Sequence, residues 1–336
     1  MSWPDLINTT CRENYTYFDS SDYLRNAYHV TAIFTVPLSI LAFYIILKKT
    51  LSRMKTMKVP LLIFHFWSTN LDLMFTVYTA PYIFIPTASG ITLGVLGWLG
   101  VRVRWQAYWG HFSVMMLGVS FIILYENRQS QISTVKFKIQ GKQTRILYFA
   151  FKSVFSFFIL LPFYINNSDQ VELRKTVLKQ IPCPTIEFFD SKTYVLLEPD
   201  EILPLFSNII GFGGILAEVL FFLFHTVYHL TMVGNTSISE STRKMQRKFL
   251  KYVSLQISIP LIAIVFPVLF SLYAGTMSYY NQAANNNAMI IMANHGLLST
   301  CCTLSIYQPY RGFILGKLTG NPVEVSPVNI IPVISS

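Results

Sequence analysis

Apolar residues collect in seven long runs, at Ala27 to Leu47, Val59 to Ile85, Trp105 to Tyr125, Ile146 to Ile165, Leu203 to Leu230, Tyr252 to Ala274 and Asn287 to Gln308. Each holds about 20 residues or more, the helical length that crosses a bilayer core roughly 30 Å thick, where a lone segment must satisfy its own backbone. The pattern predicts an all-α membrane protein, a seven-transmembrane helix bundle over 27–308 with tails over 1–26 and 309–336. Ile91 to Val101 is also apolar, but it is short, contains Gly94, Gly97 and Gly100, and is followed by Arg102 and Arg104. It reads as a loop structure, not a span.

Composition agrees: 52% of residues are hydrophobic and 12% charged, about half the charged share of soluble domains. The net charge of +10 would suit nucleic-acid binding on its own, but its distribution points elsewhere. Lys48, Lys49, Arg53, Lys55 and Lys58 fill the first linker. Arg128, Lys136, Lys138, Lys142 and Arg145 fill the third, and Arg243, Lys244, Arg247, Lys248 and Lys251 the fifth. With Arg311 and Lys317 that side carries 17 basic residues, against eight on the other. Carboxylates run the opposite way, with Asp169, Glu172, Glu187, Asp190, Glu198, Asp200 and Glu201 all between the fourth and fifth runs. Positive residues are retained on the cytoplasmic side of short loops, so the N-terminus is expected outside and the C-terminus inside. No nucleic-acid partner is implied.

The sequons at Asn8, Asn14 and Asn166 fall on the outer side and are candidate glycosylation sites, whereas Asn235 falls inside. The opening Met1-Ser2-Trp3-Pro4-Asp5 lacks a basic n-region followed by an apolar h-region, so the first span is expected to act as the insertion signal. Cys11 and Cys183 both lie on the oxidising side and are candidates for a disulfide tying the tail across the long outer loop; two free thiols are the alternative. No paired Cys or His spacing, phosphate loop or nucleophile elbow is present, so no metal, cofactor or enzymatic activity is expected.

Charges inside the spans are the next candidates, since an ionised group at mid-bilayer costs about 2.5–3.5 kcal/mol and usually faces the bundle interior. Asp72 reads as a polar hub between helices, with ion binding and simple protonation as alternatives. Glu218 reads as protonated or paired, and Lys152 as a side chain that snorkels back to the interface. His225 and His229 share a helical face at metal-ligand spacing but lack a third partner, which favours packing. Prolines 37, 81, 260 and 267 fall within spans, and Gly211, Gly213 and Gly214 permit close helix contact. Outer-half aromatics Tyr82, Tyr108 and Trp109 are candidate ligand contacts.

Particular motifs narrow the reading. Tyr28-His29, Pro37 and Phe43-Tyr44 precede Lys49-Thr50, and His65, Trp67, Leu71-Asp72 and Pro81-Tyr82 follow. Glu126-Asn127-Arg128 ends the third span, His295-Gly296-Leu297 lies in the seventh, and Pro309-Tyr310-Arg311 closes the bundle. On these residues the chain resembles the nematode serpentine receptors of class H, a chemoreceptor group, over roughly residues 20 to 317. Leu51 departs from the family's usual proline. The rhodopsin-like pattern is absent: Glu126-Asn127-Arg128 stands in place of Asp-Arg-Tyr, no Trp precedes Pro267, and the third span has no outer Cys.

The resemblance implies a G-protein-coupled receptor fold, an extracellular small-molecule ligand and a cytoplasmic heterotrimeric G protein as partner, in the plasma or ciliary membrane of a sensory cell. Glu126, Asn127, Arg128, Pro309, Tyr310 and Arg311 are then the expected signalling switch, with a Glu126–Arg128 ion pair holding the bundle closed. Asp72, Glu218 and His295 supply intramembrane polarity. A transporter, motivated by the same buried charges, and a ligand-gated channel, which would need an internal N-terminus, are the alternatives.

Overall fold

In a computed structural model, the described residues are 15–320 except 133, 134, 136, 166–168, 182, 197–201, 234–239 and 278. Asn8, Asn14, Asn166, Asn235 and Cys11 lie outside them.

The first apolar run folds into α1 (Ser21–Lys49), opened by Ser20, whose hydroxyl accepts the Tyr23 N–H at 3.1 Å. The second gives α2 (Lys55–Leu73), which widens into a π-helical turn over Met74–Tyr78. The span expected to reach Ile85 stops there, because Ala80 takes a left-handed backbone conformation (φ 43°) and Pro81 begins a strand. β1 (Pro81–Phe84) pairs antiparallel with β2 (Ser89–Thr92) through Pro81↔Thr92 and Phe84↔Ser89. The turn between them contains a cis Ile85–Pro86 peptide. The glycine-bearing apolar run therefore supplies a strand and a one-turn helix (Val95–Trp98).

The third, fourth, fifth and sixth runs become α3 (Val103–Ser130), α4 (Lys142–Ile159), α6 (Ile202–Thr231) and α7 (Glu240–Thr276). α4 ends six residues short of the expected Ile165 because the chain breaks before Pro162, which starts a separate turn over Pro162–Ile165. The long loop before α6 holds α5 (Gln170–Leu178), capped by the Asp169 carboxylate, and β3 (Tyr194–Val195), which adds to β2. The seventh run is two helices, α8 (Gln282–Ala293) and α9 (His295–Ile306), interrupted at Asn294. The segment after it is not a plain tail: Pro309 sits in the first turn of α10 (Gln308–Thr319).

The bundle is arranged for a lipid solvent. α1 buries Leu24, Tyr28, Thr31, Thr35, Ser39 and Ala42 while Ile33, Phe34, Ile40 and Leu41 face outward. On α7, Ile262, Phe266, Leu269 and Leu272 are likewise exposed. Apolar outer faces of this extent are stable only against hydrocarbon. Five helical segments among the described residues are long and apolar enough to cross a membrane, namely Ser21–Lys49, Val103–Ser130, Ile209–Thr231, Glu240–Thr276 and, running through the break at Asn294, Gln282–Ile306. α3 is the central helix, packed against α2, α4, α6 and α7 and buried along most of its length. Of the three glycines in α6, Gly211 lies against Met115 of α3, but Gly213 and Gly214 face open space.

One end of the bundle is capped by the three-stranded sheet. The first turn of α8 holds it: Gln282 Nε2 donates to the Ile83 carbonyl (3.1 Å) and Asn285 Nδ2 to that of Ile85 (3.2 Å). Asn286 Nδ2 donates to the Phe18 carbonyl at 2.8 Å, and the Asp19 carboxylate accepts the Ala283 N–H at 2.9 Å, so the same helix end ties down the N-terminal segment. Tyr15 donates to the Cys183 carbonyl, which brings that segment onto the long loop.

Candidate functional site

Beneath the sheet lies a cavity of about 450 Å³, within the size range of small-molecule sites. Met74 and Phe75 of the π-helical turn, Pro81 and Ile83 of β1, His111 of α3 and Met289 of α8 are among its walls. Its surface is almost wholly apolar, and none of the lining residues is Asp, Glu, Lys or Arg.

None of Tyr82, Tyr108 and Trp109 lines this cavity, and backbone periodicity explains why. Pro81 and Ile83 face it, so Tyr82 between them points the other way. Its hydroxyl instead donates to the Asp19 carbonyl (2.6 Å) and meets Thr185 Oγ1 (2.8 Å). Burial raises the Tyr82 hydroxyl well above the usual phenol range, keeping it a neutral donor. On α3, Val103, Gln106, Ala107, Gly110, His111 and Val114 form the cavity face at helical spacing. Tyr108 is turned away and donates to the Phe157 carbonyl at 2.8 Å, while Trp109 is 41% exposed on the outer surface. The polar positions of that cavity face, Gln106 and His111, were legible at helical spacing in the sequence. His111 Nδ1 lies 3.0 Å from the Tyr164 hydroxyl, and its ring stacks on Phe212.

Deeper in the bundle, Asp72 of α2 meets the break in the seventh span. Its Oδ1 accepts the Gly296 N–H at 3.0 Å and lies 3.2 Å from His295 Nδ1. Nδ1 is also 2.7 Å from the Met292 carbonyl, which can only accept, so that nitrogen carries the proton. The carboxylate thus caps the start of α9 from a neighbouring helix, where Asn294 supplies no side-chain cap of its own. This is what allows an acid to sit 1% exposed at mid-bundle.

At the opposite end, four successive residues of α3 reach four different elements. Glu126 pairs with Arg145 at the start of α4. Asn127 Nδ2 donates to the Thr56 carbonyl of α2 at 3.2 Å. The Arg128 guanidinium lies 5.1 Å over the Phe249 ring of α7, and Gln129 Nε2 lies 2.7 Å from His225 Nδ1 of α6. Each helical step turns about 100°, so residues two apart point away from each other. The expected Glu126–Arg128 ion pair is therefore replaced by Glu126–Arg145. Tyr310 of α10 meets Thr50 Oγ1 at 2.8 Å, while Arg311 is exposed and, among the described residues, reaches only the Ser305 carbonyl at 3.4 Å.

Lys152 does not snorkel; it pairs with Glu218, which also accepts the Tyr148 hydroxyl at 2.6 Å. With side chains 18% and 27% exposed, the pair is mostly buried between α4 and α6. Lys152→Met should cost about 1–3 kcal/mol, because it strands one partner of a buried pair. Glu218→Gln in the same chain should recover part of that loss in a thermal unfolding series; equal losses in the single and double variants would sink the pairing. His225 and His229 pack ring to ring at 4.6 Å, and no third metal-ligating residue joins them among the described residues.

A bundle with apolar outer faces, a capped cavity at one end and a hub of buried polar contacts at the other is the build of a polytopic helical membrane protein. The family model for the serpentine-type 7TM GPCR chemoreceptors Srh matches residues 19–320. The chain belongs to that family, and is a multi-pass membrane protein with a GPCR-like helical bundle. Serpentine receptor class H-72 of Caenorhabditis elegans is 25% identical over 340 residues, spanning 98% of this chain and 94% of that receptor.

Proposed function

We propose that the chain is a chemosensory receptor that binds an extracellular small molecule in the cavity beneath the sheet and signals from its opposite end to a heterotrimeric G protein. The observation that carries this reading is the separation of the two sites along one helix. α3 contributes Gln106 and His111 to the cavity and Glu126 to Gln129 to the hub, so a ligand that shifts α3 changes both. The basic bias of 17 residues to eight supports an outward sheet and an inward hub. A sensory cell's plasma or ciliary membrane is the proposed location, and no catalytic role is proposed.

The contact between Tyr15 and Cys183 supports a Cys11–Cys183 disulfide holding the N-terminal segment over the cap. Intact-mass analysis after alkylation of the unfolded, unreduced chain should show two of the four cysteines protected; four alkylated thiols would reject the bridge. The function itself is tested with receptor reconstituted beside purified G protein. Nucleotide exchange should rise with the activating compound, and an N-terminal epitope should be reached by antibody on unpermeabilised cells. Solute uptake or ion current without exchange would overturn the receptor reading.

A further inference from the structure

One residue on the cavity wall points to the chemistry of the occupant. Gln106 lies on the wall and is 1% exposed. Its Nε2 donates to the Val101 carbonyl at 2.7 Å, and because a carbonyl only accepts, the amide orientation is fixed. Oε1 is left as a buried acceptor with no hydrogen-bond partner among the described residues. Buried acceptors are rarely left unsatisfied; the other unpaired polar atom on the wall among the described residues is the Thr79 hydroxyl, which can donate as well as accept, and the rest of the surface is overwhelmingly apolar.

We propose that the cavity takes a neutral, mainly apolar small molecule carrying one hydroxyl or N–H donor, which bonds to Gln106 Oε1. The proposal rests on the receptor reading for its physiological meaning, but the binding chemistry stands apart from it. A carboxylate or ammonium ligand would enter with no counter-charge among the lining residues and lose its hydration. A hydrocarbon without a donor would fill the space and leave Oε1 unpaired.

Full-length receptor in nanodiscs separates these cases. The probe is 2-naphthol, compared with 2-methoxynaphthalene, 2-naphthoate and 2-naphthylmethylammonium, each competing with the neutral fluorophore N-phenyl-1-naphthylamine. Naphthol should bind about tenfold tighter than its methyl ether, the value of one neutral hydrogen bond, and the two ions more weakly still. In Gln106→Met, which keeps the size but removes the acceptor, the alcohol and ether should bind alike. Gly110→Leu should abolish specific probe binding, since a Cβ there meets only Met74 Cε at 4.0 Å and the larger side chain projects into the cavity space. Ile83→Trp fills the same space from the sheet and checks against a folding fault in the first variant.

An alcohol-to-ether ratio near one in the native chain, or an unchanged ratio in Gln106→Met, would overturn the donor assignment. Binding of the ions as tight as the alcohol would overturn neutrality, and probe binding unaffected by both filled variants would overturn the site. Alcohol-selective probe binding in a chain whose activating compound drives solute uptake or ion current and no nucleotide exchange would uphold the ligand class while ending the signalling reading.

Discussion

Gly296→Ala should remove most of the folded protein recovered from membranes. An added Cβ would lie 1.7 Å from Asp72 Oδ2 and 2.3 Å from its Cγ. A surface carboxylate would swing aside, but this one is buried, with Oδ1 held by the Gly296 N–H and close to His295 Nδ1. Relief requires α2 and α9 to separate. Overpacking alone costs about 1–3 kcal/mol, and stranding a buried carboxylate adds about 1–3 more. Against a native margin of about 5–15 kcal/mol, that is a large share of the total. Size-exclusion profiles of a fluorescent fusion would measure the yield. Asp72→Ala introduced beside Gly296→Ala should restore part of it by deleting the clashing atoms. Wild-type yield in Gly296→Ala alone would show that the carboxylate moves freely and end the packing argument.

The sequence made the spans legible because bilayer thickness sets one length for all of them, and α1, α3, α6 and α7 each cover their apolar run. Which face of a span turns inward was not legible by the same rule. In α1 both faces are apolar, and the buried one is marked by Thr31, Thr35 and Ser39 rather than by extra hydrophobicity. The sheet was hidden for a related reason: β1 continues the apolar run of α2 without a polar break, and only Pro81 signals the change. At the hub, Glu126-Asn127-Arg128 was visible as a motif, but its partners Arg145, Thr56 and Phe249 lie 19 to 121 positions away. Reading the acid and base of that motif as a pair overlooked the helical turn between them. The same geometry, applied to Val103 through Val114, puts Gln106 and His111 on the cavity face and Tyr108 and Trp109 off it.

Arg128→Ala should abolish ligand-dependent nucleotide exchange while leaving folding intact or slightly improved. Arg128 is only 9% exposed, its guanidinium rests on the Phe249 ring, and Nε and Nη2 are without hydrogen-bond partners among the described residues. A buried cation so thinly compensated contributes little to stability and costs desolvation. Its place at the hub is better explained by a partner than by the fold, in keeping with the trade between stability and function. Glu126 behaves differently, because its charge is met by Arg145 within the bundle. Breaking that pair should free the α3–α4 contact, so Glu126→Gln and Arg145→Gln should each raise basal exchange. Acting on one contact, the two substitutions together should add little beyond either alone. Surface expression, thermal midpoint and exchange rate measured on the same preparations separate these effects. Normal exchange in Arg128→Ala, or loss of its surface expression, would remove Arg128 from the signalling face and leave it an interfacial charge.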